Sequence, residues 1–243
     1  CTIINTKNTG SFTVLKDFSD NSTASVSVTL ACTSGTVTNN PRTATEAVPA
    51  VFTISGAATG ATCKASESPV PSGYTANQTD CQNGDPIGGT CTIVNTLNPV
   101  VILYDGFEDG NANGWSLGSG TAIDGILAIG QYSLRHNPNT NSMYSLSTVG
   151  YTGVSVKMTL AASSLKQNAS CFAEVSTNGG SSWTTVVQIQ APQDNSTFFS
   201  STVSPAAASN NLNLRLRFRS TGQGKGGYCY GDEVTVKGSL GGG

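Results

Sequence analysis

The sequence predicts an all-β protein built from two sandwich domains, and three observations carry that expectation. Apolar and polar residues alternate over many short runs, and no segment carries a convincing helical period. Clusters of Gly, Asn, Pro and Ser separate those runs. Only 11% of the 243 residues are charged, less than half the usual share, and Thr, Ser, Asn and 28 Gly make up the difference. That composition suits short strands that carry polar side chains outward between tight turns.

The chain also repeats itself. Cys-Thr-Ile-Ile-Asn-Thr at residues 1–6 returns at 91–96 as Cys-Thr-Ile-Val-Asn-Thr, a shift of about 90 residues, the length of a small β-domain in an array. Residues 1–6 therefore read as the closing strand of an upstream copy, 7–98 as one full repeat, 99–240 as a different domain and 241–243 as a Gly tail. The absence of an initiator Met and of a signal-peptide pattern fits a piece of a longer secreted protein. An orphan strand at 1–6 could also add to a neighbouring molecule's sheet edge, which would make the protein a head-to-tail homopolymer.

In the repeat, Ser11-Phe12-Thr13-Val14-Leu15-Lys16 and Ala24-Ser25-Val26-Ser27-Val28-Thr29-Leu30 alternate as half-buried strands do. Ala50-Val51-Phe52-Thr53-Ile54 and Thr92-Ile93-Val94-Asn95 continue the series, and Ser34-Gly35, Asn39-Asn40-Pro41 and Gly84-Asp85-Pro86 supply turns. Seven cysteines in so weakly charged a chain favour an oxidising, extracellular compartment. There is no Cys-x-x-Cys pair and a single His, so no zinc site is indicated. Four cysteines in the repeat allow three connectivities. The economical choice is Cys32–Cys63 with Cys81–Cys91, which leaves Cys1 unpaired. Cys171–Cys229 follows from the absence of any other Cys in the second domain.

Glu67-Ser68-Pro69-Val70-Pro71-Ser72-Gly73-Tyr74 matches the E-x-x-x-P-x-G-Y pattern of Cna B-type (prealbumin-like) stalk domains of bacterial surface proteins. The repeat resembles that family over most of residues 11–96, with Lys16 on an early strand and Asn95 near the end of the last. The resemblance implies an immunoglobulin-like/prealbumin-like sandwich. It also implies a spontaneous isopeptide bond with Lys16 as nucleophile, Asn95 as acyl donor and Glu67 as catalyst. The chemistry is reasonable: burial depresses a Lys pKa toward the neutral amine that attacks, and raises a carboxyl pKa so that a protonated Glu can polarise the Asn carbonyl and shuttle protons. Folding supplies the proximity. The reaction runs once, as maturation without turnover. The plain alternative is a Lys16 that snorkels, a Glu67 on a surface strand and an Asn95 in a turn.

After Asn98-Pro99 the character changes. Val100-Val101-Ile102-Leu103-Tyr104 opens the second domain and leads into Asp105-Gly106-Phe107-Glu108-Asp109-Gly110. Residues 153–158, 170–175 and 212–219 read as strands, Ser176-Thr177-Asn178-Gly179-Gly180-Ser181-Ser182-Trp183 as a hairpin turn, and Tyr228-Cys229-Tyr230-Gly231-Asp232-Glu233-Val234-Thr235-Val236 as the closing strand. In this order, "GFE", "S-x-N-G-G-x-S-W", "L-R-x-R" and "D-x-V-x-V" look like a jelly-roll module similar to MAM-like and carbohydrate-binding modules of secreted bacterial proteins. The resemblance implies a structural calcium between first and last strands, held by Asp105, Glu108, Asp109 and Asp232. It also implies a glycan surface on which Trp115, Trp183, Tyr228 and Tyr230 stack, with Tyr132 and Tyr144 as further aromatics. Arg215, Arg217 and Arg219 share one strand face and could pair with acids or face solvent, with solvent the expectation. His136 reads as a loop residue without an evident partner.

Three function classes remain from the sequence. The leading one is a structural component of an extracellular bacterial surface stalk, adhesin or fibre. The second is a glycan-binding adhesin or lectin tip with surface glycans as partners, and the third is a pair of accessory domains of a larger secreted enzyme. No catalytic residues are assigned, because the chain has no paired acids in a cleft-like segment, one isolated His and no phosphate loop. A net charge of −2 gives no basic footprint for nucleic acid, and no apolar run reaches membrane-span length. No cofactor is required; a structural calcium is the one candidate, and the plain alternative is that these acids are turn formers in Gly-rich loops.

Overall fold

A computed structural model describes residues 9–222 and 227–241. The expectations for Cys1, the strand at 1–6, assembly through it and the last two glycines lie outside the described residues. The chain divides into two compact units, with Pro99–Gly241 forming the second. Both are all-β sandwiches.

The first unit contains β1 (Thr9–Phe18), β2 (Val26–Cys32), β3 (Thr36–Thr38), β4 (Arg42–Ala44), β5 (Ala50–Ser55), β6 (Thr62–Glu67), β7 (Tyr74–Asn77), β8 (Asp85–Pro86) and β9 (Thr90–Leu97), with a 3-10 turn at Asp80–Gln82. One sheet runs β3-β5-β1-β9-β7 and the other β4-β2-β6-β8. Pairing is antiparallel except between β1 and β9, which lie parallel, with Lys16 opposite Ile93 and Phe18 opposite Asn95. Alternation decides what faces inward. In β1 that parity selects Phe12, Val14, Lys16 and Phe18, in β6 Cys63, Ala65 and Glu67, and in β9 Cys91, Ile93 and Asn95. The core is therefore apolar along each strand and turns polar at one end. Cys32–Cys63 joins facing residues of β2 and β6, and Cys81–Cys91 ties the 3-10 turn to β9.

The motif that follows Glu67 is a turn with a definite geometry. The Tyr74 amide donates to the Pro71 carbonyl at 3.2 Å, and Gly73 takes φ +86°, the left-handed value required at the third position of a type II turn. A side chain at Gly73 would be strained there. Tyr74 then packs its ring edge-on to Phe18 and donates its hydroxyl to Asp20 at 2.8 Å.

The second unit contains β10 (Val100–Asp105), β11 (Trp115–Ser116), β12 (Ala122–Asp124), β13 (Ser133–His136), β14 (Asn141–Leu146), β15 (Tyr151–Ser163), β16 (Ser170–Ser176), β17 (Thr184–Gln190), β18 (Phe199–Val203), β19 (Leu214–Thr221) and β20 (Tyr228–Leu240). One sheet is β12-β13-β20-β15-β18 with β10 also paired to β20, and the other is β11-β14-β19-β16-β17. A core including Leu134, Val156, Met158, Leu160, Leu216, Phe218 and Val236 fills the space between them. Cys171 on β16 bonds Cys229 on β20, so this disulfide spans the two sheets. The strand expected over 212–219 begins two residues later, because exposed Leu212 points away from the core while Leu214 is its first buried residue.

Candidate functional site

The polar end of the first core brings Lys16, Glu67 and Asn95 together. All three are buried, Asn95 completely, among Phe18, Val28 and Ile93. The Asn95 Nδ2 donates to Glu67 Oε1 at 2.8 Å, and Lys16 Nζ lies 3.5 Å from Glu67 Oε2. Lys16 Nζ also donates to the carbonyls of Asp17 and Ile93 at 3.1 Å, and sits 4.2 Å from the centre of the Phe18 ring. Lys16 and Asn95 are diagonal neighbours on adjacent parallel strands, while Glu67 reaches across from the opposite sheet. Burial pushes the Lys16 pKa down, and the charge of Glu67 opposes that shift.

The carboxylate thus has one oxygen toward each nitrogen. Lys16 must lose a proton to become an amide nitrogen, and Asn95 Nδ2 must gain one to leave as ammonia. A single carboxyl between them can carry that proton. Glu67 meets the Asn95 amide at its nitrogen, and Asn95 Oδ1 has no hydrogen-bond partner among the described residues. Sequence reasoning missed two supports. Phe18 has the same inward parity as Lys16 two residues on, and its ring covers the amine. Gln78 fixes the Glu67 backbone, its Oε1 accepting from the Glu67 amide at 2.8 Å and its Nε2 donating to the Glu67 carbonyl at 3.2 Å. Glu46, another acid near this end, accepts from the Phe18 amide at 2.6 Å.

In the second unit several expectations require correction. Trp115 and Tyr230 are buried and cannot stack on a sugar: Trp115 packs against Phe107, Tyr144 and Phe218. Trp183 and Tyr228 are half-buried, and each already has a guanidinium over its ring, Arg217 at 3.8 Å and Arg135 at 5.0 Å. Arg217 and Arg219 do not simply meet solvent. Both bind Glu174, Arg217 through Nη2 at 2.7 Å and Arg219 through Nη2 at 2.9 Å. His136 is not in a loop but ends β13, fully buried, with its Nε2 2.9 Å from Ser142 Oγ, and burial pushes its pKa down to about 4.

The four acids proposed as calcium ligands are each engaged by neighbouring groups. Asp105 accepts from the Phe107 amide and the Trp115 indole, at 2.9 and 2.8 Å. Glu108 accepts from the amides of Gln131 and Tyr132, and Asp109 from that of Asn111. Asp232 is buried and accepts from the Ile129 and Glu233 amides, both at 2.8 Å, with its pKa raised to about 6 chiefly by desolvation. Among the described residues no three His, Cys, Asp or Glu side chains are grouped so as to hold a metal ion. No helix among them is long and apolar enough to cross a membrane.

No protein-family model matches the sequence, and no curated protein matches it. Among solved structures the chain is similar to the TmCBM61 module in complex with β-1,4-galactotriose, at 12% identity over 54% of this chain and 92% of that one, with a TM-score of 0.41. It is similar to the CBM22-2 xylan-binding domain of Paenibacillus barcinonensis Xyn10C, at 10% identity over 56% and 99%, TM-score 0.41. A further likeness is to the K3 cleaved adhesin domain of Lys-gingipain from Porphyromonas gingivalis, at 14% identity over 58% and 99%, TM-score 0.40.

Proposed function

We propose that this chain is a structural, non-enzymatic segment of an extracellular surface protein, and that its first unit matures by joining Lys16 to Asn95. The observation that carries the reading is the buried contact set in which Glu67 meets Asn95 Nδ2 at 2.8 Å and Lys16 Nζ at 3.5 Å. A stability-driven core has little use for three polar groups at that depth, because burying charge costs several kcal/mol unless it is well paired. Here the pairing is incomplete: among the described residues Asn95 Oδ1 has no hydrogen-bond partner, and Glu67 Oε2 has only the 3.5 Å ion-pair contact with Lys16.

The reaction balances without any added reagent. Neutral Lys16 Nζ attacks Asn95 Cγ, forming a C–N bond. Glu67 takes a proton from Nζ and delivers one to Nδ2, the Cγ–Nδ2 bond breaks, and ammonia leaves. Glu67 ends this exchange as it began it, a carboxylic acid, because the Lys16 ammonium first gives its extra proton to Glu67. A neutral amide and a neutral carboxylic acid thus take the place of the buried ion pair. Three disulfides support an oxidising, extracellular setting.

Intact-protein mass after full reduction tests this reading. The wild type is expected to weigh one ammonia less than its sequence. Glu67→Gln, which keeps the shape of the side chain and removes the proton carrier, is expected to restore the full mass while circular dichroism stays that of a β-sandwich. Full mass in folded wild-type protein would refute the cross-link.

A further inference from the structure

We infer that the outer face of the sheet containing β19 binds an acidic polysaccharide, one whose sugars carry carboxylates. This goes beyond the cross-link and concerns the other unit, so failure here leaves the Lys16–Asn95 reading untouched. Along β19, Leu214, Leu216, Phe218 and Ser220 are buried in alternation, which puts Arg215, Arg217 and Arg219 on the opposite side of the sheet. Adjacent members of such a series stand about 7 Å apart along the strand. The register sets Arg219 beside Phe172, Arg217 beside Glu174 and Arg215 beside Ser176 on β16.

This face is organised around charge. Glu174 is only 4% exposed, and its two oxygens hold Arg217 and Arg219: Arg217 Nε and Nη2 both donate to Oε2, at 2.8 and 2.7 Å, while Arg219 donates Nε to Oε2 at 3.0 Å and Nη2 to Oε1 at 2.9 Å. The same guanidinium groups lie over rings, Arg217 on Trp183 at 3.8 Å and Arg219 on Phe172 at 4.0 Å. Each is thus fixed in plane from two directions, with its remaining Nη1 unengaged among the described residues. Arg215 is half-buried and forms no ion pair among the described residues. Two guanidinium groups therefore share a single carboxylate and the third has none, on a chain whose net charge is −2, so the positive face is local and not a general property of the surface.

The ligand class follows from what these groups can still do. One face of each ring is taken by a guanidinium, which disfavours recognition of a neutral sugar by stacking. Guanidinium edges with free N–H groups suit planar carboxylates. Glu174 is an internal example of the group they accept. Exposed Asn141 and Gln188 flank Arg219 and Phe172 in the same row across the sheet, and their uncharged amides suit the hydroxyls that surround each carboxylate in a uronic acid. An acidic peptide offers the charge without those hydroxyls.

Calorimetric titration of the full chain decides the matter, with polygalacturonate as probe and its methyl ester and poly-glutamate as controls. Polygalacturonate is expected to bind and to weaken as salt is raised, with the methyl ester at least about tenfold weaker. Arg215→Gln, which breaks no internal ion pair, is expected to cost about tenfold, the worth of one charge-assisted contact. Glu174→Gln, where it folds, is expected to tighten binding by removing the competing carboxylate. No binding of polygalacturonate, equal binding of its ester, an unchanged Arg215→Gln, or equal binding of poly-glutamate would each overturn the inference.

Discussion

His136 and Asp232 are two buried titratable residues whose environments push in opposite directions. Desolvation holds His136 neutral, with a pKa near 4 against a usual 6.5. Below pH 6.5 the unfolded chain takes a proton that the folded one refuses, so this residue's contribution is lost as pH falls toward 4. The full effect is about 3 kcal/mol. Asp232 has its pKa raised from 3.8 to about 6, so the folded state holds the extra proton between those values. Its contribution is present at low pH and lost as pH rises through 6. The two slopes oppose each other between about pH 4 and 6. Urea titrations over this range are expected to show stability of Asp232→Asn falling as the solution is acidified. His136→Gln is expected to gain stability over the same change. Slopes of the same sign in the two variants would show that one of these burial effects is misassigned.

At the scale of the strand, alternation explains both what was legible in the sequence and what was not. Ser11–Lys16 and Ala24–Leu30 announced themselves by period two, and the same parity carried Lys16 inward with Phe12 and Val14. Glu67 and Asn95 followed as the last inward positions of their strands. The second unit was harder. Its "L-R-x-R" strand was readable, but a partner for the arginines lay 43 and 45 residues away at Glu174, a contact that only the sheet register creates. Trp115 and Tyr230 show the converse difficulty, since an aromatic after a Gly-rich loop gives no sign of whether it lies on a surface or in a core. His136 looked isolated because its partner, Ser142, meets it across the space between two sheets.

The disulfides differ at this scale too. Cys171–Cys229 closes 58 residues and joins separate sheets, whereas Cys81–Cys91 closes 10 within one region. Chain entropy then predicts that replacing the first pair by Ala costs about 4 kcal/mol and the second about 3. Denaturant midpoints of the two double variants, followed by Trp fluorescence for the second unit and circular dichroism for the first, check the order. A larger loss for Cys81–Cys91 would mean that native-state contacts outweigh loop length.

For the whole molecule, the parallel pairing of β1 with β9 has a mechanical consequence. The chain enters the first unit on one of these strands and leaves it on the other, and Lys16 and Asn95 are diagonal neighbours across that seam. With the amide formed, tension applied to the two ends passes from β1 to β9 through one covalent bond. The 78 residues between Lys16 and Asn95 lie outside the path and are never stretched. Without the bond the same pull would peel the sandwich open and release about 130 Å of chain, because Cys32–Cys63 and Cys81–Cys91 hold the loops they close out of the extension. Single-molecule extension of the full chain is expected to show one unfolding event for the wild type and a second, of roughly that length, for Glu67→Gln. Two events in the wild type would mean that the seam carries no covalent link, and that the unit yields under load like any other β-sandwich.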